Sequence, residues 1–136
     1  MMVTAAQIQR FFDNEFPGSN IVVERVGPKQ AQLRRAVNKA DLRPGGSVSG
    51  PFMMALVDAA LYAAIFAELG IVAHAVTTNL NINFLSKPEA EKDVIATCQL
   101  IKVGSKLIVG EVTLRSDTHT EPVAHAVGTY SIPPMR

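Results

Sequence analysis

The sequence predicts an α+β fold in which a curved, mainly antiparallel sheet wraps around one long central helix. Three observations carry this. Residues 52 to 67 are apolar on every side except for Asp58. Several period-two segments follow that run in succession, which favours antiparallel neighbours over a doubly wound sheet. A helix that is apolar all round needs cover on most sides, and a strongly curved sheet would supply it. One sheet cannot surround a helix completely, so the open side is expected to meet a second subunit.

The elements follow in order. Residues 4 to 15 read as a short amphipathic helix, with Thr4 as N-cap and Ile8, Phe11 and Phe12 as its apolar stripe. "PGSN" at 17 to 20 ends it. "IVVERV" (21–26) and "QAQLRRAV" (30–37) read as two strands around a turn at Gly27-Pro28. A loop at 41–50 leads to the central helix, from Pro51 to about Leu69. Pro51 suits the first helical position and Gly70 is a good stop. In "VTTNLNINF" (76–84) apolar residues alternate with polar ones, and Thr78 breaks the apolar row once. "DVIATCQLIKV" and "KLIVGEVTLRS" form a hairpin with Gly104-Ser105 as a two-residue turn. "PVAHAVGTYSI" (122–132) is the last strand.

Composition bounds the class. The 136 residues suit one domain spanning 1–136, and 48% hydrophobic with 18% charged residues supports a core rather than disorder. A net charge of +1 without a Lys/Arg block argues against nucleic acid or an anionic membrane as partner. The single cysteine, Cys98, permits no internal disulfide and fits a reducing, cytoplasmic setting. The N-terminus does not read as a signal peptide. The apolar run is shorter than the ~20 residues of a membrane span and carries a charge near its centre.

Asp58 is the first chemical candidate. An unpaired buried carboxylate is costly, so it should be neutral, paired or facing a cleft, where it could act as general base or nucleophile. The alternative is a structural aspartate bonded to the backbone. The loop "RPGGSVSG" delivers Gly45, Gly46 and Gly50 just before a helix N-terminus. Free N–H groups there favour an anion or a developing oxyanion. The loop matches neither a Walker A motif nor the dinucleotide fingerprint. Asp58 lies eight residues past Gly50, about 12 Å along a helix axis. That is too far for both to act on one carbonyl within a chain. If they share a substrate, the glycine of one subunit meets the aspartate of another.

The row Thr77, Asn79, Asn81, Asn83 reads mostly as the solvated face of a strand. Thr77, at its start, could hold a water or the substrate, and Asn79 and Asn81 are kept as substrate-binding candidates. His74, His119 and His125 lie apart in sequence from Asp58, and no metal-ligand spacing is present. Cys98 reads as packing, and Ser49 lies in no nucleophile elbow.

The helix motif ending in "LVDAA" after a glycine loop, "TTNLNINFLSKP" and the closing "AHAVGTYSI" together resemble the hotdog-fold acyl-CoA thioesterases, in particular the PaaI-like group, over roughly residues 36 to 132. The resemblance implies hydrolysis of acyl-CoA at a site shared between two subunits. It implies no cofactor beyond the coenzyme A of the substrate, and a homodimer that can pair into a tetramer. In the family pattern the Gly50 N–H polarises the thioester carbonyl, and the acidic residue, here Asp58, acts from the partner subunit. Thr77 matches a serine or threonine near the site. Ser49 stands where the family has histidine, Pro51 where it has a second glycine and Arg43 where it has asparagine. Serine can still make a hydrogen bond at the carbonyl, proline offers no N–H, and Arg43 could meet a phosphate or an acyl carboxylate. Two alternatives stay open: a non-catalytic acyl-CoA-binding protein and, less favoured, a hydratase or dehydratase of the same fold.

Overall fold

The computed structural model describes residues 3–134. Helix α1 (Ala5–Glu15) precedes strands β1 (Ile21–Gly27) and β2 (Gln30–Arg35), and a short 3-10 turn (Lys39–Asp41) leads to α2 (Gly50–Leu69). Strands β3 (Val76–Phe84), β4 (Val94–Val103), β5 (Leu107–Ser116) and β6 (Ala124–Ser131) complete one six-stranded sheet. All its pairings are antiparallel and its order is β1-β2-β4-β5-β6-β3. The predicted α+β hotdog architecture, a curved sheet around a central helix, is therefore the one observed.

Local chemistry sets the element ends. Thr4 accepts from the Gln7 N–H at 3.2 Å while the Gln7 side chain accepts from the Thr4 N–H at 2.8 Å, a reciprocal cap for α1. The α2 helix starts at Gly50, one residue earlier than predicted. Ser49 Oγ accepts from the Phe52 N–H at 3.2 Å, which makes the serine the cap and puts Pro51 at the second helical position. The first hairpin turns at Pro28-Lys29 instead of Gly27-Pro28. Gly27 pairs with Gln30, and Lys29 takes the positive φ that a tight hairpin demands. The β4–β5 connection uses residues 104 to 106, with the Gly104 N–H donating to Leu107 O at 2.9 Å. It is one residue longer than predicted. Strand β2 ends two residues early, and β6 is shorter than the predicted 122–132.

Helix α2 is long and apolar enough by composition to cross a membrane, and 67% of that apolar window is buried inside the fold. Its cover is uneven. Phe52, Leu56, Val57, Ala60, Leu61, Ala64 and Ile65 are buried, whereas Met54 and Ala55 are exposed and Asp58 and Tyr62 half-buried. Asp58 lies four residues past Met54, three past Ala55 and four before Tyr62, so the four form one stripe along the helix that the sheet leaves open. Asp58 sits on it. A notch sets the helix rotation. Gly110 and Gly128 pair across β5 and β6, and a Cβ on either would fall 2.7 or 2.5 Å from a Leu61 methyl. Leu61 seats in that notch, and Asp58, three residues earlier and about 60° around the helix, lies beside it within reach of Tyr130 on β6.

Strand β3 lies at the sheet edge beside β6, not beside its sequence neighbour β4. Its ladder slips between Thr77 and Asn79, so Thr78 is the extra residue of a bulge. That explains the break in the apolar row.

Candidate active site

Asp58 reaches outward from the open stripe of α2 and is caught by two hydroxyls. Thr77 Oγ1 donates to Asp58 Oδ1 at 2.7 Å, and Tyr130 Oη donates to the same oxygen at 2.7 Å. Tyr130 Oη also lies 3.1 Å from the Asp58 carbonyl oxygen. The other carboxylate oxygen, Oδ2, makes no hydrogen bond among the described residues. The carboxylate is thus oriented through one oxygen and left open at the other, as a general base or nucleophile requires.

Sheet register assembles this arrangement. Thr77 on β3 is the direct ladder partner of Tyr130 on β6, so their side chains share a face. Tyr130 is 3% exposed. Burial pushes its phenol well above the ordinary value; a hydrogen bond with Thr77 opposes the shift and the Asp58 charge adds to it. The phenol therefore stays a donor. Tyr62, one helical turn beyond Asp58, is raised by burial and then by the Asp58 charge. Its hydroxyl donates to Ala73 O at 2.6 Å, and its ring lies 5.8 Å from that of Tyr130.

These groups border a cleft of about 390 Å³. Its wall is mostly apolar, with Phe12, Phe16, Ile21, Ala59, Tyr62 and Val76 prominent, and Arg35 and Ser19 join Asp58, Thr77 and Tyr130 as its polar groups. Such a lining, apolar with a few polar groups, suits a small organic ligand.

Gly50 opens elsewhere. It borders a second cleft, of about 450 Å³, together with Arg43, Ser47, Met53, Phe84 and Lys87. As the first helical residue its N–H has no acceptor within the helix. A Cβ there would make only ordinary contact with the Phe84 ring, at 3.5 Å. Nothing inside the chain therefore excludes a side chain at that position. The structure thus separates the two predicted catalytic groups into two clefts of one chain. Ser49 Oγ is engaged as helix cap, Arg43 lines the Gly50 cleft, and Gly46 is exposed in the loop at φ 85°. Asn79 and Asn81 are exposed on β3 and border neither cleft.

The comparisons with known proteins agree with this architecture. The thioesterase superfamily profile matches residues 45–123, which hold the glycine loop from Gly45, α2, β3 and the whole β4–β5 hairpin. The chain belongs to the thioesterase superfamily. A candidate thioesterase from Silicibacter sp. TM1040 is 35% identical over 98% of this chain and 95% of its own, with a TM-score of 0.87. Zebra fish thioesterase superfamily member 2 is 21% identical, with a TM-score of 0.86 over 96% of this chain and 99% of its own. The PaaI protein of the E. coli phenylacetic acid degradation operon is 21% identical, with a TM-score of 0.79 over 93% and 94%. The last two show the shared hotdog fold. No curated protein matches the sequence.

Within this thioesterase-superfamily domain the remaining candidates fall into place. His119 pairs with Glu89 at 3.0 Å and His125 with Glu111 at 3.2 Å, both on exposed surface away from Asp58. Cys98 is buried, and burial, then the Glu111 charge, pushes its thiol up to about 12, which suits packing. Among the described residues no group of three His, Cys, Asp or Glu is placed to hold a metal ion. Sequence reasoning missed two residues of the cleft. Tyr130 carried no signal, because only the β3–β6 register brings it to Asp58. Arg35 did carry one: "RR" in a period-two strand must put one arginine on the inner face.

Proposed function

We propose that the protein hydrolyses acyl-CoA thioesters at a site completed by a second copy of the chain. The observation that carries this is Asp58, which lines a largely apolar cleft and is held through Oδ1 by Thr77 and Tyr130 while Oδ2 makes no hydrogen bond among the described residues. In this reading Asp58 takes a proton from water as the water oxygen attacks the thioester carbon. The carbonyl oxygen gains the negative charge and is met by the Gly50 N–H of the second copy. The C–S bond then breaks, the acid forms, and the proton passes to the coenzyme A thiolate. Direct attack by Oδ2 followed by hydrolysis of the anhydride gives the same products. Thr77 gives its own proton to Asp58, which leaves its lone pairs to position the water. Ser49 accepts at its oxygen, which leaves its proton to donate at the carbonyl. Arg43, joined by Lys87, brings positive charge to the mouth of the Gly50 cleft, where coenzyme A phosphates would lie. Gly46, Asn79 and Asn81 would contact only the outer parts of the coenzyme.

Two features support the second copy. Gly50 and Asp58 lie in different clefts of one chain. Among the described residues the nine-residue β3 pairs with β6 alone, and Val76, Phe84 and Leu85 are about half exposed along and beyond it. A long apolar edge of this kind needs cover. A dimer that pairs again into a tetramer remains part of the proposal.

Release of free thiol from a panel of acyl-CoAs tests the reaction, and Asp58→Asn should reduce it about 10²- to 10⁴-fold. Complementation tests the sharing. Ser49 has ψ 151°, which a following proline accepts, so Gly50→Pro removes the N–H and keeps the helix start. Co-expressed Asp58→Asn and Gly50→Pro chains should recover about a quarter of wild-type activity through heterodimers with one intact site. No recovery from folded mixed dimers would refute a shared site. The engagement of Ser49 as a cap favours a second reading, an acyl-CoA-binding protein without turnover. Tight ester binding with no thiol release would establish it.

A further inference from the structure

Two arginines stand side by side on β2, and the strand uses them oppositely. Arg34 faces outward and is met by three carboxylates: Glu24 at 2.9 Å, Asp93 at 3.0 Å and Asp117 at 2.7 Å. Arg35 is in phase with buried Ala31 and Leu33 and lines the Asp58 cleft. Its Nε donates to Ser19 O at 3.0 Å, its Nη1 donates to Phe52 O at 3.2 Å, and its guanidinium lies 4.2 Å from the centre of the Phe52 ring. Every one of these partners is neutral. Among the described residues no carboxylate lies within ion-pair distance of Arg35, and its Nη2 makes no hydrogen bond. Burial lowers its pKa, opposed only by the more distant charge of Asp41, yet a guanidinium remains protonated.

We propose that Arg35 reads the far end of the acyl group, binding a terminal carboxylate while the thioester carbonyl lies at Asp58. The preferred substrates are then compact ω-carboxyacyl thioesters. The proposal rests on the hydrolytic reading above and adds a substrate class to it. The physical case has three parts. A half-buried guanidinium with unused donors and no counter-charge is completed by a carboxylate, which it can bind through two parallel N–H groups. Apolar walls such as Phe12, Ile21 and Ala59 surround the cleft and strengthen that pairing. The helix sets the reach: Phe52, whose carbonyl holds Nη1, precedes Asp58 by six residues, about 9 Å along the axis. That span and a cleft of about 390 Å³ suit a short chain rather than a long fatty one. An alkyl terminus would instead cover the free Nη2 donors without pairing the charge, which a site rejects more strongly than a missing methylene.

Adipoyl-CoA and hexanoyl-CoA test this, because they share chain length and differ in the terminal group. In wild-type protein the ratio of kcat/KM, adipoyl to hexanoyl, should be at least about tenfold. Arg35→Gln should bring the ratio close to one, and Arg35→Lys should keep part of it. The ratio is internal to each variant, so a fold weakened by loss of the Ser19 and Phe52 contacts lowers both rates and leaves it unchanged. A wild-type ratio near one, or a ratio that survives Arg35→Gln, overturns the proposal while the hydrolase reading stands. If neither ester is turned over, the wider acyl-CoA panel decides the hydrolase reading, and calorimetric binding of the same two esters decides the role of Arg35. Tighter adipoyl-CoA binding that Arg35→Gln abolishes sustains the role of Arg35, and equal binding overturns it.

Discussion

Thr77 and Tyr130 face each other across the β3–β6 ladder and donate to one and the same oxygen, Oδ1 of Asp58, each at 2.7 Å. Two donors on one oxygen hold the carboxylate and leave Oδ2 without a partner among the described residues, in a side chain that lines the cleft. Each bond involves a charged acceptor and is worth about 1.5–3 kcal/mol. Tyr130→Phe and Thr77→Val should therefore each lower kcat by roughly tenfold or more, with little change in KM. The double variant should lose less than the product of the two, because both act through one carboxylate. Steady-state kinetics on an accepted acyl-CoA gives the numbers. An effect confined to KM would assign the pair to substrate binding instead.

The glycine notch under Leu61 should be sensitive to a single methyl group. A Cβ at Gly128 would lie 2.5 Å from one Leu61 methyl and 3.1 Å from Leu80. Gly110 blocks retreat on the other side, since the second Leu61 methyl already lies 2.7 Å from its Cβ position. Gly128→Ala should cost about 1–3 kcal/mol of stability by overpacking. Adding Leu61→Ala should return part of that loss, even though Leu61→Ala alone costs about 2–5 kcal/mol. Urea titrations of the three variants measure this coupling.

Ser49 joins a structural and a chemical role in one hydroxyl. Its oxygen caps α2 by accepting from the Phe52 N–H. Ser49→Ala should lower stability by about 1 kcal/mol. Ser49→Asp retains the capping acceptor and should recover that stability, but it brings a negative charge toward the carbonyl. If Ser49 donates to the substrate, both variants lose kcat/KM. If it only caps, Ser49→Ala keeps full activity per folded molecule.

Acid sensitivity should centre on Arg34. Burial tends to raise Glu24, but its hydrogen bonds to Arg34 and Gln32 and the Arg34 charge outweigh that and hold it below 4.5. Asp117 is held below 3.8 chiefly by its hydrogen bond to Arg34. Carboxylates depressed in the folded state contribute stability that is complete above their ordinary values. It is lost as the pH falls through their folded values. Arg34→Met should therefore be less stable than wild type at pH 7, with the gap closing as the pH drops below 3.8. Urea midpoints for both proteins across that range will show it. A gap that widened in acid would contradict the sign.

Much of the fold could be read directly from residue order. A sixteen-residue apolar run, a cap, a stop and period-two strands are local signals, because helix and strand periodicity are properties of neighbouring residues. Asp58 stood out for the same reason: one charge in an apolar run is visible without any tertiary contact. The helix spacing that separates Gly50 from Asp58 is likewise a property of the chain alone. Tertiary structure decided which way Asp58 points and what holds it. The Leu61 notch depends on two glycines from different strands. Tyr130 reaches Thr77 only because β3 leaves its sequence neighbour and pairs with β6. Arg35 enters the cleft through the phase of β2. Each depends on register or rotation, which pairing and packing between distant segments determine.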